Sequence, residues 1–249
     1  MTDNGQRICD HLRVIVPPVL AAGAGALAYG VRGRSSQFFG PSAWRGNAQR
    51  KSVAITFDDG PSESTPLLLD ALRQYRAVAT FFQCGSNIRR LPAVAREVQA
   101  AGHEIGNHSD THPLCCFRSP SFIQDDFARA QQTILDTLGT TPSLMRAPFG
   151  VRWFGYRAMQ EKLGLRGIMW TVIGLDWKLS AEEVSDRVLR AATSGSIVCL
   201  HDGRGCTVRP DIQVSIEAVK RILPALLERG LRFETVPQIL CPVTQPKKS

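Results

Sequence analysis

The sequence predicts an α/β fold built on a parallel sheet. Short β-branched or apolar runs alternate with longer segments whose apolar residues recur at helical spacing, and this unit repeats about seven times. Glycine follows several of the helical segments, at the position where helices commonly end. Such alternation is typical of a parallel sheet, either open or closed into a barrel. The 249 residues suffice for one catalytic domain and a short appendage.

Seven segments have the pattern of strands, at 51–57, 79–83, 104–106, 144–146, 167–172, 196–200 and 232–235. Helices are predicted between them, at 64–75, 93–101, 121–138, 156–163, 181–192 and 212–228. Parallel strands of an α/β fold place their carboxyl ends on one face, where active sites are built. We therefore expect the polar residues that follow these strands to converge.

The first 50 residues lack the alternation of strand and helix patterns that the rest of the chain shows. Positions 14–31 hold no charged residue, a length near the ~17-residue lower limit for crossing a bilayer. They predict a membrane anchor or signal, with a buried Ala/Gly-rich helix as the alternative. Residues 32–50 are rich in Gly, Ser and Arg and predict a linker. The catalytic domain would then span 51–241, and residues 242–249 would form a flexible tail.

The formal net charge is +8, and half of the excess lies in the first 50 residues. No basic run is interleaved with aromatic residues, so we expect no nucleic-acid partner. Attraction to anionic lipid or to an anionic cell-wall polymer fits this distribution better, and simple solubility is the alternative. The expected location is the cell envelope, membrane-anchored or secreted, or the cytoplasm if 14–31 is not a targeting segment. A monomer is the default.

Two carboxylates and two imidazoles form the first candidate site. Asp58 and Asp59 repel each other unless a cation or proton settles the pair, although Asp-Gly-Pro also makes a turn without any catalysis. His108 and His112 are four apart and can reach one ion, and they lack the Glu of a zinc-protease motif. One Asp and two His leave positions open for water and substrate, as a catalytic zinc site requires.

Five motifs occur in order: T-F-D-D-G-P at 56–61, H-S-x-x-H at 108–112, R-x-P-x-G at 146–150, D-W at 176–177 and L-H-D at 200–202. In order and spacing they resemble the polysaccharide deacetylase family (NodB-homology domain, carbohydrate esterase family 4). The resemblance covers about residues 50–240. It implies a distorted (β/α) barrel of about seven parallel strands and a divalent metal, with zinc expected and cobalt as an alternative. It also implies deacetylation of N-acetylglucosamine polymers such as peptidoglycan, chitin or chitooligosaccharides.

The resemblance implies a role for each residue of the candidate site. Asp59, His108 and His112 are the implied metal ligands. Asp58 is the implied base, which takes a proton from the attacking water. Arg146 would fix Asp58 and support its charge.

The remaining motifs imply the acid and the substrate contacts. His201 is the implied acid, which protonates the departing sugar amine, and Asp176 would hold it protonated. The backbone N–H of Phe149 would help to stabilise the oxyanion. The expected substrate contacts are Phe149, Trp177, Cys199 and Leu200, with a place in the core as the alternative for Trp177.

Three positions depart from the family pattern. Phe149 stands where Tyr is usual, Cys199 replaces a Leu that lines the acetyl methyl pocket, and Ile173 replaces an earlier Asp. None removes a catalytic group, and Cys199 predicts a roomier acetyl pocket. Two alternatives are an esterase acting on O-acetyl groups of a polysaccharide such as xylan and a catalytically silent sugar-binding module. The complete set of catalytic and metal-binding side chains argues against the silent module.

Overall fold

The structure is a computed structural model that describes residues 21–242. Within that range, nine strands are formed: β1 (Ser42–Ala43), β2 (Ser52–Gly60), β3 (Thr80–Gln83), β4 (Glu104–Asn107), β5 (Leu144–Met145), β6 (Arg166–Ile168), β7 (Val172–Ile173), β8 (Ile197–His201) and β9 (Arg232–Phe233). Every pairing between them is parallel, in the order β1-β6-β5-β4-β3-β2-β8-β7, and β9 pairs with the first residues of β2.

Helices connect most of these strands. They are α1 (residues 21–32), α2 (Thr65–Gln74), α3 (Gly85–Arg90), α4 (Pro92–Ala100), α5 (Pro120–Leu138), α6 (Tyr156–Leu163), α7 (Ala181–Ala191), α8 (Gln213–Glu228) and α9 (Val236–Leu240), with 3-10 helices at Ala48–Arg50 and Pro148–Gly150. Local signals explain several ends. Ser180 and Glu183 form a reciprocal capping box that begins α7, and Gly139 ends α5 in the left-handed conformation.

The sheet curls until its two edges approach each other. Arg45, just after β1, forms an isolated bridge with Ser196 at the start of β8. Thr171 Oγ1 also donates to the carbonyl of Trp44 at 2.8 Å. Contacts between the first strand in the sheet order and the last two therefore bring the edges together, and the prediction of a distorted (β/α) barrel is confirmed.

Side chains of the strands alternate between two buried layers. Val53 and Phe57 of β2 face the outer layer, where they pack with residues of α2 and α8, whereas Ala54 faces the inner layer. In β8, Leu200 points outward and Ile197 inward. A polar residue at the carboxyl end of an inward row therefore opens into the mouth of the barrel.

Two features of the fold differ from the predicted strands and helices. The segment predicted as one strand at 167–172 forms both β6 and β7. Between them the chain changes partners, because Met169 donates its N–H to Ala43 and Thr171 donates to Ile197. The short helices α3 and α9 were not predicted, since six and five residues are too few to show a helical period.

The predicted linker at 32–50 contains ordered structure. Ser42–Ala43 pairs with β6, and the guanidinium of Arg152 donates to the carbonyls of Ser36 and Gly33. The segment shows no helical or strand period because scattered contacts hold it, namely hydrogen bonds from Arg152 and the burial of Phe39 and Ala43. The division of the chain at residue 50 stays a prediction.

The predicted anchor or signal at 14–31 lies partly outside the described residues, and so do residues 243–249 of the predicted tail. The part that is described, residues 21–31, belongs to α1 and is mostly exposed. Val31 is buried and packs with Phe39 and Val151. Within residues 21–242, no helix combines the length and the apolar character needed to span a membrane.

Candidate active site

The predicted site residues meet at the carboxyl ends of the parallel strands. Asp58 and Asp59 lie near the end of β2, and His201 is the last residue of β8, where it pairs in register with Asp58. His108 directly follows β4, and Arg146 directly follows β5. Four strands therefore deliver these side chains to one mouth of the barrel.

Asp59, His108 and His112 bring three potential ligand atoms together. Nε2 of His108 lies 3.2 Å from Oδ1 of Asp59, and Nε2 of His112 lies 2.9 Å from the same oxygen. The three ligand atoms are all within 4.8 Å of one another. Burial opposes the charge of Asp59, but the two imidazoles outweigh it and hold the pKa of the carboxyl well below its ordinary value.

Neighbouring groups leave these ligand atoms directed at a common point. Nδ1 of His108 lies 2.8 Å from the carbonyl oxygen of Arg146, which can only accept, so Nδ1 carries the proton and Nε2 keeps its lone pair. The Gly205 N–H donates to Asp59 Oδ2 at 2.8 Å. Among the described residues, Asp59 Oδ1 is buried without a hydrogen-bond partner. An orphaned carboxylate oxygen facing two imidazole nitrogens fits a divalent cation.

Asp58 is held by a buried guanidinium. Nη1 of Arg146 donates to Asp58 Oδ1 and to Thr56 Oγ1, each at 2.7 Å, while Nε donates to the carbonyl of Ile168 at 3.1 Å. The guanidinium also lies over the ring of Phe82, 4.2 Å from its centroid. Sγ of Cys199 lies 3.4 Å from Asp58 Oδ2. The carboxylate is thereby oriented beside the metal-ligand group.

His201 lies beside Asp58 and is held by Asp176. Asp176 Oδ1 lies 2.8 Å from Nδ1 of His201, and Oδ2 accepts the His201 backbone N–H at 2.8 Å. Ser215 Oγ also donates to this carboxylate. Burial alone would lower the pKa of His201, but the Asp176 carboxylate outweighs it and raises the pKa to about 9. The imidazole is therefore cationic at neutral pH, with Nε2 free to donate.

The side chains surround a cleft of about 560 Å³, within the usual range for small-ligand sites. Phe149 and Trp177 line it and are 53% and 49% exposed, and Cys199 lines it from below. The prediction that Leu200 contacts the substrate is wrong. It is fully buried in the outer layer, because side chains alternate along β8 and Cys199 takes the inward position.

Unusual backbone conformations cluster at this cleft. Asp59, His112 and Phe149 have positive φ angles of 75°, 52° and 58°, a region that non-glycine residues seldom adopt. Leu175, also in the cleft wall, has a φ of 62°. Backbone strain of this kind is found where the surrounding structure fixes functional groups.

Several residues of the site were not predicted. Gly205 donates to Asp59, and Asn87 Nδ2 donates to the Asp59 carbonyl at 2.7 Å. Arg32, Trp170 and Arg204 line the cleft. These residues follow no spacing rule in the sequence, and of them only Arg204 and Gly205 lie close to a motif, shortly after L-H-D at 200–202.

Comparisons with known proteins identify the family of the chain. A family model described as polysaccharide deacetylase matches residues 45–168. A chitooligosaccharide deacetylase from Bradyrhizobium sp. (strain ANU 289) is 35% identical over 198 residues, which cover 76% of this chain and 90% of that protein. A peptidoglycan-N-acetylglucosamine deacetylase from Bacillus cereus is 31% identical over 199 residues, with 79% and 71% covered.

Comparison of the structure with solved structures identifies the same family of proteins. A crystal structure of a peptidoglycan N-acetylglucosamine deacetylase matches with a TM-score of 0.75 at 30% identity, covering 80% of this chain and 92% of that one. The identity and coverage of the chitooligosaccharide deacetylase exceed what a shared fold alone would require. The chain belongs to the polysaccharide deacetylase family and is an enzyme of the deacetylase class.

Proposed function

We propose that this protein hydrolyses the N-acetyl amide of N-acetylglucosamine units in a glycan such as peptidoglycan or a chitooligosaccharide. The observation that carries the proposal is the arrangement of Asp58 and His201, which are register partners on paired strands and line the cleft together with the Asp59–His108–His112 group. A base and an acid beside one metal-ligand group are the parts that amide hydrolysis needs.

Asp59, His108 and His112 would hold a divalent ion, and we propose zinc because a set of two imidazoles and one carboxylate is typical of catalytic zinc sites. The chemistry that such an ion supplies when bound is Lewis acidity, which makes water a better nucleophile at neutral pH and polarises the acetyl carbonyl. The chain's own part is to keep Nε2 of His108 and Oδ1 of Asp59 available.

Asp58 is the proposed general base. Arg146 fixes Oδ1, and the carboxylate can take the proton of the attacking water on its other oxygen. His201 is the proposed general acid, which gives the proton on Nε2 to the sugar nitrogen as the carbon–nitrogen bond breaks. Since its pKa is raised to about 9, the proton is present at neutral pH. An ester needs less help at its leaving group, so this acid favours an amide substrate.

The cleft wall supplies the substrate contacts in this proposal. The exposed ring of Trp177 offers a stacking surface for a sugar, and Cys199 lies beside Asp58, where the acetyl methyl group would sit. The backbone N–H of Phe149 would help to stabilise the oxyanion. Replacement of Leu by the smaller Cys199 predicts tolerance of acyl groups larger than acetyl.

The proposal is tested by acetate release after dialysis against a chelator and after addition of zinc or cobalt. We expect turnover of chitooligosaccharide or peptidoglycan to fall to background and to return with the metal. Acetylxylan serves as the O-acetyl comparison, and we expect slower release from it. Activity that is indifferent to the chelator would reject the metal site, and faster release from acetylxylan would replace the amide substrate by an ester.

We also propose that the enzyme acts at the cell envelope, where such glycans occur. Fractionation of cells that express the full chain, beside a version lacking residues 1–31, measures whether the N-terminal segment directs it there. Recovery of the full chain only in the cytosol would contradict this location.

A further inference from the structure

A second pocket adjoins the catalytic cleft, and its charged walls are basic. It has a volume of about 390 Å³ and shares Trp170 and Ile173 with the cleft. Arg34 enters it from the segment after α1, and Arg187 and Arg190 enter it from α7. Among the residues that the structure describes, no carboxylate lines this arginine pocket.

Two of the three guanidinium groups are held in position. Nη1 of Arg34 donates to the carbonyl of Thr171 at 2.7 Å, and its guanidinium lies over the ring of Trp44 at 4.7 Å. Nε of Arg187 donates to the carbonyl of Ile173 at 2.7 Å. Each keeps further N–H donors for a ligand, so the groups are ordered before anything binds and lose little entropy on binding.

The charges of the pocket are not balanced within the described chain. None of the three arginines forms a salt bridge with a residue in 21–242. Like charges around one pocket repel each other, and an anion between them relieves that repulsion. Arg32 and Arg204 extend the basic lining into the catalytic cleft. The electrostatic potential at the arginine pocket therefore favours a negatively charged group.

We propose that the arginine pocket binds a carboxylate on a sugar that neighbours the N-acetyl sugar under attack. The enzyme would thus select a carboxylate-bearing glycan over a neutral one. The inference rests on the proposed function, because it takes the acetamide to sit beside Asp58 and Asp59. Guanidinium groups match a carboxylate with two parallel hydrogen bonds, and the pocket volume lies in the ~300–1,000 Å³ range of small-ligand sites.

The test compares three substrates with the full-length, metal-loaded enzyme. They are a peptidoglycan-derived glycan with its carboxylates intact, the same glycan with the carboxylates converted to neutral amides, and N-acetylchitopentaose. We expect KM for the intact glycan to be about tenfold lower than for the amidated one, with similar kcat, and the difference to shrink as salt increases. Equal KM values would overturn the inference.

A matched pair of variants locates the effect. Arg190→Gln and Arg221→Gln each remove one exposed arginine from a helix, but Arg221 on α8 does not line the arginine pocket. We expect Arg190→Gln to raise KM for the intact glycan about fivefold, to leave the amidated glycan unchanged, and Arg221→Gln to change neither. Equal effects of the two variants would overturn the assignment to the pocket.

The carboxylates of a peptidoglycan-derived glycan belong either to its sugars or to its attached peptides, and a glycan freed of its peptides separates these two sources. If the sugar's own carboxylate is bound, the preference persists in this substrate, and its loss would overturn that assignment. Acetate release from any of the glycans supports the proposed function whatever the preference. Release from none of them would reject the proposed function itself, so the two failures are distinguishable.

Discussion

The floor and the rim of the catalytic cleft are built in different ways. On the floor, Arg146 is completely buried and donates hydrogen bonds to four acceptors contributed by β2, β6 and the residue after β6. On the rim, Phe149 and Trp177 expose about half of their surface. The barrel therefore fixes the proposed catalytic groups, while short connecting segments present the proposed substrate contacts.

This difference predicts which substitutions lower both the stability and the activity of the enzyme. Removal of one partner from a buried ion pair costs about 3–5 kcal/mol of folding free energy, because a charge is left uncompensated. Changes to the Asp58–Arg146 pair should thus lower both stability and turnover. Changes on the rim should alter binding and leave the free energy of unfolding nearly unchanged.

The largest effect is expected for Asp58→Asn on the floor. An amide cannot accept the proton of the attacking water, so kcat should fall by roughly 10²–10⁴-fold. Asp58 is not among the proposed metal ligands, and the bound metal should remain at the wild-type ratio. Rates of acetate release and metal content measured on the same preparation test both statements.

The control for this variant is Asp70→Asn, which also removes one carboxylate but from an exposed surface pair with Arg73. Its activity should equal that of the wild type. Thermal unfolding of each protein shows how much of the loss follows from reduced stability. If folded, metal-loaded Asp58→Asn retained turnover, the base would have to be another residue.

The second effect concerns the acid. Asp176 holds the pKa of His201 at about 9, so the high-pH limb of wild-type activity should lie near that value. In Asp176→Asn the burial of His201 remains without the carboxylate, and the limb should move toward or below the ordinary value of 6.5. At pH 8 this predicts a loss of about thirtyfold, from the smaller protonated fraction.

Stability should follow the same titration. Because the folded-state pKa of His201 is raised, the protonated imidazole contributes to the free energy of unfolding. This contribution is fully present below pH 6.5 and is lost as pH rises through about 9. Unfolding measured across this window should show the loss in the wild type and not in Asp176→Asn. Asp186→Asn, an exposed change on α7, is the control. An unmoved limb in Asp176→Asn would show that His201 does not set it.

Much of the floor was predictable from the sequence. Asp59, His108 and His112 belong to motifs with fixed spacing, and the strand-then-helix period placed them at one end of the barrel. The structure added Gly205, in a loop, and Asn87, in the short helix α3, whose hydrogen bonds orient Asp59. Contacts between residues far apart in sequence leave no local signal, so pattern analysis could not reveal them.

The rim was less predictable, for two physical reasons. Leu200 adjoins the proposed acid His201 in sequence, but the twofold alternation of side chains along β8 turns Leu200 into the outer layer. Arg32 and Arg34 lie in a segment whose composition predicted a linker, yet Arg152 holds its carbonyls against the barrel. Contacts with residues far away in the sequence order this segment, and they leave no local signal that would have revealed the basic surface beside the cleft.

The smallest effect is expected on the rim, for Trp177→Ala. The ring lies in the cleft wall, half exposed, with its edge toward His201 at a centroid distance of 4.9 Å. If it stacks on a sugar, its removal should raise KM about three- to tenfold, from the ~0.5–1.5 kcal/mol of an aromatic contact, and leave kcat unchanged. Trp177→Phe should recover most of the loss.

Phe117→Ala removes another exposed aromatic residue, and Phe117 lies outside the cleft lining, so KM should not change. The pH profile separates the two roles that Trp177 can have. A substrate platform changes KM at every pH, whereas packing that supports His201 would move the high-pH limb and lower kcat. The second result would assign Trp177 to the fixed floor, and the boundary between floor and rim would then run between Trp177 and Phe149.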